Sequence, residues 1–362
     1  MGGLAAALAL TRARLEVIVL EALAEPQAPS TGLALWPNAM LALSMLGVDE
    51  EVRSRGAPLE ISVMQRWDGR VLSRAGLKAR GRGGARGVGI RQADLLDVLR
   101  SRLEAGVVHL GRRVTGFEQV PGGVAALLDT GDRVEGDVLI GADGLHSTVR
   151  QGLLGDGPRR LGCIAWRGLA HLRERGGVAV GRRAHVAWLP VGGNHTYWFC
   201  CRAGESGHRL ADPRSELLDL FGRWWDPVPA LIQATAGSQI RRDELYDRPP
   251  ASGWGAGPVT LVGDAAHPMA PAPGHGAGCA LEDAAVLGAT LAKWRDPARA
   301  LRLYESNQIP RAARMQRAAR ATLRLLQPRS APGDLARDLV LRLPTRWLAR
   351  RHSWLFDFQP SA

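Results

Sequence analysis

Lysine is almost missing from this chain: of its 47 basic residues only Lys78 and Lys293 are not arginine. With 44 glycines and abundant alanine, that bias reads as GC-rich coding, although the net charge is +12. A nucleic-acid surface interleaves basic side chains with aromatics on one face. The densest basic stretch, residues 80–91 (RGRGGARGVGIR), has no aromatic and reads as a solvated loop. The basic segment 337–351 reads as the cover of a helix surface, and no nucleic-acid partner is expected. No apolar run approaches 18 residues, which excludes a membrane-spanning helix. No basic region precedes the apolar N-terminal stretch, so no signal peptide is expected and a cytoplasmic location is. Cysteine is sparse: Cys163, Cys200, Cys201 and Cys279 show no CxxC spacing, which excludes a disulfide framework and fits a reducing compartment. His267, His275 and Cys279 are metal-ligand types, but their glycine-rich setting has a better explanation and no metal is expected.

What is present suggests a split nucleotide-binding domain. In the opening MGGLAAALAL, Leu4 and Leu8 stand one turn apart among alanines, which predicts a helix lying close on a flat neighbour. Residues 15–21 (LEVIVLE) read as a buried parallel strand ending in an acid. Helix, turn and acid-tipped strand form the second half of a dinucleotide-binding βαβ unit, in which the acid takes the ribose hydroxyls. Gly3 then corresponds to the third glycine of the G-x-G-x-x-G fingerprint. The preceding strand and first two glycines are not in the sequence. Either the start lies upstream or the chain is a crippled relative, and the intact downstream motifs favour the first.

Further along, a helix is expected over 38–47, a hairpin over 64–73 with an Asp-Gly turn, and an amphipathic helix over 91–103. Three strands are expected over 113–140, the last of them, 138–140, buried. Between 163 and 240, short tryptophan-rich strands around one helix near 214–225 predict a separate antiparallel sheet. Residues 258–268 return to a buried strand, with a helix from about Gly278 and long helices over 299–326 and at the C-terminus. The fold class is α/β with an α+β insert. A three-layer Rossmann-like domain with a parallel sheet is built from 1–70, 71–160 and 251–330, interrupted by an antiparallel substrate sheet at 161–250 and followed by a helical segment, 331–362.

Two stretches carry the chemistry: DVLIGADGLHSTVR (137–150) and VTLVGDAAHPMAPAPGHGAGCALEDAAVL (259–287). Asp264, at the end of a strand, can accept hydrogen bonds from a ligand's hydroxyls. Prolines 268, 271 and 273 stiffen a loop, and glycines 274, 276 and 278 let the backbone approach a flat ring closely. The helix that follows aims its free N–H groups at that ring, where they favour negative charge. With LWPNAM, AWRG and LYDRPP, these stretches resemble the flavin-dependent aromatic monooxygenases, the para-hydroxybenzoate hydroxylase-like class, and within it the salicylate hydroxylase and zeaxanthin epoxidase-like subgroup. The resemblance covers about residues 1–330.

The resemblance implies bound FAD, NADH or NADPH as electron donor, and O2. A flavin C4a-hydroperoxide would then hydroxylate or epoxidise an apolar aromatic or a polyketide- or terpenoid-like small molecule. The flavin carries the chemistry, so no protein acid or base is assigned. Carried over by motif, the cofactor-binding positions are Gly2, Gly3, Glu21, Arg91 or Gln92, Val114, Asp143, Gly263, Asp264, Pro271, Gly276, Ala277 and Gly278. Arg150 reads as a surface arginine or a phosphate ligand. Trp166, Arg167, Trp188, Tyr197 and Trp198 are candidates to line the substrate, with Arg167, Trp188 and Trp198 heading that set; core packing is an equal alternative for each, because alternation on a strand sends only half of them to one face. Three positions depart from the family: Ala22 and Gln27 where an arginine is usual, and His275 where glutamine or alanine is. A small-molecule substrate and a monomer or homodimer are expected. Two alternatives stay open: a non-catalytic, flavin-deficient relative, and a flavin oxidoreductase without oxygen transfer.

Overall fold

A computed structural model of the chain describes residues 1–26, 30–74, 77–78, 86–204, 212–272, 274–343 and 353–359. The expectations for 80–85, for 344–351, for Gln27 and for Pro273 lie outside the described residues.

The chain begins with α1 (Gly2–Arg12) and β1 (Val19–Leu20), then β2 (Gly32–Leu35), α2 (Pro37–Met45) and α3 (Asp49–Arg55). Four short strands follow, β3 (Ala57–Pro58), β4 (Glu60–Arg66), β5 (Val71–Ser73) and β6 (Leu77–Lys78), then β7 (Val88–Arg91) and α4 (Gln92–Ser101). Next come β8 (Val108–His109), β9 (Val114–Val120), β10 (Gly123–Leu128), β11 (Arg133–Gly136), β12 (Leu139–Gly141) and α5 (Thr148–Leu154). The insert contains β13 (Arg159–Ala170), β14 (Gly176–Gly181), β15 (Ala184–Pro190), β16 (Thr196–Ala203), α6 (Pro213–Phe221), α7 (Val228–Gln233) and β17 (Arg241–Asp247). The chain then returns through β18 (Val259–Leu261) to α8 (Gly276–Lys293), α9 (Pro297–Leu326) and α10 (Ala331–Arg342).

The parallel layer consists of two pairs, β1 with β8 and β12 with β18, that do not hydrogen-bond to each other. The buried strand expected over 15–21 is therefore corrected. Only Val19 and Leu20 are strand, and Leu15 and Ile18 are 39% and 49% exposed. A strand in the middle of a parallel sheet is buried because it has neighbours on both sides, and β1 has one among the described residues. For the same reason Leu139 and Ile140 of β12 are half-buried rather than buried.

α1 holds to α8 because small residues face each other. A Cβ on Gly288 would stand 2.7 Å from the Ala9 Cβ, and one on Gly2 3.6 Å from that of Ala280. Ala5 to Leu10 are buried at that contact.

The inserted sheet is larger than expected. Its strand order is β17-β13-β16-β15-β14-β4-β5, with β6 also on β4. The 64–73 hairpin forms, but it belongs to this sheet, because β4 pairs in parallel with β14. Residues 60–73, all of which the sequence assigned to the nucleotide-binding part, therefore pair with the inserted sheet. Two helices, α6 and α7, pack on the sheet where one was expected.

Candidate active site: a cofactor cleft beside a two-faced sheet

The turn after β18 is held by a buried carboxylate. Gly263 adopts φ +60°, and its N–H donates to Asp283 Oδ2 of α8 at 2.8 Å. The same oxygen lies 2.6 Å from His267 Nε2, and Gln308 Nε2 of α9 donates to Asp283 Oδ1 at 3.0 Å. Burial disfavours the His267 cation, but Asp283, with Asp264 adding, outweighs burial and raises the His267 pKa. Asp264 itself stays open to solvent on one side. The protein crowded around it pushes its pKa up, and nearby His267 opposes that. A Cβ on Gly276 would sit 4.0 Å from Asp264 Oδ1, so the carboxylate lies beside the first turn of α8.

That first turn is unusually bare. No side chain caps it and it contains no acid; its first backbone bond runs from the Cys279 N–H to the His275 carbonyl. The N–H groups of Gly276, Ala277 and Gly278 are thus left for a ligand. Gly278 is glycine because the Asn38 amide occupies the space a side chain would need, at 3.0 Å. Asn38 in turn donates to Glu282 Oε1 at 2.6 Å, and Arg311 bonds the same carboxylate. His275, at the cap position, is buried against Trp36, with ring centroids 5.5 Å apart, and neither of its ring nitrogens has a hydrogen-bond partner among the described residues. Burial, with Arg311 nearby, lowers its pKa to about 3.

The charged residues of the 137–150 motif are held within the protein. Asp143 caps α5: its carboxylate accepts from the Thr148 N–H at 2.7 Å, the Val149 N–H at 3.2 Å and the Ser147 hydroxyl. Arg150 is not a surface residue; it is fully buried. It makes a two-pronged bond to Asp156 at 2.7 Å and reaches the carbonyls of Ala265 and Ala266. Arg248 of the LYDRPP segment is 2% exposed, shares Asp156 and bonds the Leu145 carbonyl. The two guanidiniums hold the Asp156 carboxyl below its usual range, the hydrogen bond from Arg150 contributing most. Three segments distant in sequence are locked together here, and the sequence marked none of these partners.

At the other end, the Arg112 N–H donates to the Glu21 carbonyl at 2.8 Å, which sets Val114 just beyond the ribose-type acid. The exposed Glu21 carboxylate accepts from the Leu23 N–H at 3.0 Å. Arg91 is held by Asp94 at 2.7 Å, and Gln92 accepts from the Thr31 hydroxyl at 2.6 Å. Gly2 and Gly3 form the first turn of α1, which has no side-chain cap. Gly3 lies against Ala142 and Gly2 against Val262 and Gly263, so both chemistry-bearing motifs meet α1 at its start. Pro271 lies on the half-buried loop before α8.

The inserted sheet corrects the substrate residues. Its cross-strand pairs place Ile164, Trp166, Trp188, Trp198 and Cys200 on one face, packed with Leu217, Phe221, Leu231 and Ile232 of α6 and α7. Trp188 Nε1 donates to the Arg175 carbonyl at 2.7 Å and Trp198 Nε1 to the Thr235 hydroxyl at 2.8 Å. Trp166, Trp188 and Trp198 are therefore core, turned away from the cofactor loop. Strand alternation puts the other set on the near face: Ala165, Arg167, Ala187, Tyr197, Phe199 and Cys201. Most of that face forms one apolar cluster with Met269, Ala270 and Ala272 of the loop before α8. Arg167 is paired with Asp243 at 2.9 Å.

These residues suit FAD. The uncapped first turns of α1 and α8 supply backbone donors, Asp264 and Glu21 supply exposed acceptors, and Gly276 keeps the approach to Asp264 clear. A flavin dinucleotide needs donors for its pyrophosphate and for its pyrimidine edge, and acceptors for its sugar hydroxyls.

Comparison with known proteins agrees. The model of the FAD binding domain matches residues 1–169 and 228–321, leaving out β14, β15 and β16 of the inserted sheet and α6. Aurachin C monooxygenase/isomerase of Stigmatella aurantiaca is 35% identical, over 86% of this chain and 84% of its own length. 3-Amino-4-hydroxybenzoate 2-monooxygenase of Streptomyces cremeus is 33% identical, over 91% of this chain and 88% of its own. HpxO of Klebsiella pneumoniae, solved with FAD and uric acid, superposes with a TM-score of 0.91 at 30% identity, covering 98% of this chain and 94% of that one. By fold, by the residues gathered around the cofactor cleft and by these similarities, the chain belongs to the FAD-binding-domain family and is an FAD-dependent monooxygenase.

Proposed function

We propose that the chain spends NADH or NADPH to insert one oxygen atom into an uncharged, largely apolar aromatic ring held between the loop at 269–272 and the near face of the inserted sheet. One observation carries this reading. Toward the loop the near face offers mainly small or apolar side chains, and Arg167 there is already paired with Asp243, which Arg241 opposite it also approaches. A carboxylate-bearing substrate would have to break that pair, whereas a neutral ring would not. The relatives act on aurachin C, urate and an aminohydroxybenzoate, by their names, so ring oxygenation is common to them while the ring varies.

Bound FAD supplies electron transfer from the nicotinamide and activation of O2. The chain's own residues would bind and orient. Asp264 would accept from the ribityl chain, Glu21 from the ribose, and the N–H groups of Gly276, Ala277 and Gly278 would donate to the pyrimidine edge, where a helix N-terminus favours negative charge. Gly2, Gly3 and either Arg91 or Gln92 would serve the phosphates, Val114 the adenine by its backbone, and Pro271 the ring edge. Asp143 fixes the loop that borders the flavin by capping α5. Phe199, Tyr197 and Met269 would exclude water from the ring.

The test is a panel of fused and single aromatic rings, charged and neutral, assayed for oxygen consumption and for product heavier by one oxygen under labelled O2. Neutral rings giving labelled product in step with NAD(P)H consumed is the expected result. NAD(P)H oxidation that yields only peroxide with every ring would assign the chain to flavin oxidoreductases without oxygen transfer. A preference for carboxylated rings would overturn the assignment of Arg167.

A further inference from the structure

The last helix, α10, is built inside out. Its buried side carries charge beside Leu341, the one leucine it turns to the core: Arg337 and Asp338 are 3% and 4% exposed and bonded at 2.8 Å, and Arg337 also reaches the Gly181 carbonyl and Asp334. Its outer side carries leucine. Leu335, Leu339 and, one residue past the helix, Leu343 are 64%, 57% and 42% exposed, spaced four apart so that they share one face. Two exposed indoles adjoin it. Trp67 lines the same concavity as Leu335 and Asp334, and Trp225, whose N–H donates to the Trp67 carbonyl, is 62% exposed. None of these residues belongs to the cofactor cleft.

Exposed arginines adjoin this apolar strip: Arg182 lines the same concavity, Arg329 and Arg342 flank or end α10, Arg183 donates its N–H to the Pro328 carbonyl, and Arg70 and Arg223 lie within three residues of Trp67 and Trp225. The acids nearby are fewer. Asp68 and Asp226 are exposed, while Asp334 and Asp338 are taken up by Arg182, Arg337 and Arg66. A helix lying in a membrane interface shows leucine and tryptophan at the centre and arginine at the rim. The overall charge of +12 has the same sign as the rim.

We propose that this face docks on an anionic lipid bilayer. The leucines of α10 and the indoles of Trp67 and Trp225 enter the headgroup boundary, and the arginine rim meets lipid phosphates. Charge complementarity selects this occupant. A second copy of the chain would bring one arginine rim against another, whereas an anionic surface neutralises it. Docking leaves the protein peripheral, since no helix of the described residues is long and apolar enough to cross a membrane.

The experiment is vesicle flotation of the full FAD-loaded chain, comparing phosphatidylcholine with mixtures containing about one third phosphatidylglycerol. Binding to the anionic vesicles and little to the neutral ones is expected. The double variant Leu335→Asn, Leu339→Asn should weaken binding about ten-fold, while Leu41→Asn, a leucine 41% exposed on α2, should not. Circular dichroism and an unchanged flavin spectrum would show that the variants are folded. The proposal is overturned by absence of flotation, or by flotation that the leucine variant leaves intact, since charge alone would then explain it. It is also overturned if the leucines instead govern a dimer seen in sedimentation, with no vesicle binding.

Discussion

At the scale of single residues, the cofactor cleft depends on a carboxylate that no cofactor touches. Asp283 collects the Gly263 N–H, His267 and Gln308 inside the protein. Asp283→Ala should cost about 3–5 kcal/mol in urea unfolding, because three polar groups lose a buried partner. It should also weaken FAD binding, read by equilibrium dialysis. Unchanged stability would mean that water replaces the carboxylate without loss. The local setting of Asp264, just past a strand, and of Gly276, at the start of a helix, was legible in the sequence, because an acid and a glycine at such positions carry local meaning. Asp283 and Glu282 were not assigned, although two adjacent acids in an alanine-rich helix are a readable sign of buried polar anchors.

Histidine sets the pH behaviour. His185 and His275 titrate at about 4 and about 3, lowered chiefly by burial. The unfolded chain binds protons near an ordinary pKa of about 6.5, so stability should fall as pH drops from there toward 4 and then 3. His275→Gln should flatten that fall in unfolding scans, and an unaltered slope would exclude His275 as a source. His267 works in the opposite sense. Its raised pKa gives stability that is complete below about 6.5 and is lost as pH rises through its folded value.

At the scale of elements, short-range patterns were read well and neighbour-dependent ones were not. α4 follows its leucine spacing, and α8 begins two residues from the expected Gly278. The 15–21 strand failed because strand length depends on pairing partners far away in the chain, and the 64–73 hairpin went to another sheet for the same reason. Between elements, Asp156 joins α5, the turn after β18 and the end of the insert through Arg150 and Arg248. Asp156→Ala would leave two buried guanidiniums unpaired and should cost about 3–5 kcal/mol, measured by denaturant unfolding. Arg150→Lys should recover little, since an ammonium cannot form the two-pronged bond. Gly263→Ala forces a side chain into φ +60° with Ala280 only 3.2 Å away. A loss of about 1–3 kcal/mol and weaker flavin retention are expected from thermal unfolding and visible absorbance.

At the scale of the molecule, one sheet serves two purposes by alternation. The composition announced many tryptophans but not which face each takes, because a one-residue shift in register sends a strand's side chains to the opposite face. Trp198→Phe should lose the bond to Thr235 and about 1 kcal/mol, with the ratio of product to NAD(P)H unchanged. Ala187→Phe, on the near face, should leave unfolding nearly unchanged and move the preference toward smaller rings, read as kcat/KM across the aromatic panel. The division has an evolutionary consequence. The heavy, hydrogen-bonded indoles act as a buttress that tolerates little change, and the alanines opposite the flavin loop carry little of the sheet's stability. New substrates can therefore be acquired by drift at a handful of small side chains while the scaffold stands still, which offers a physical route to relatives of one architecture acting on rings as different as a purine and an aminobenzoate.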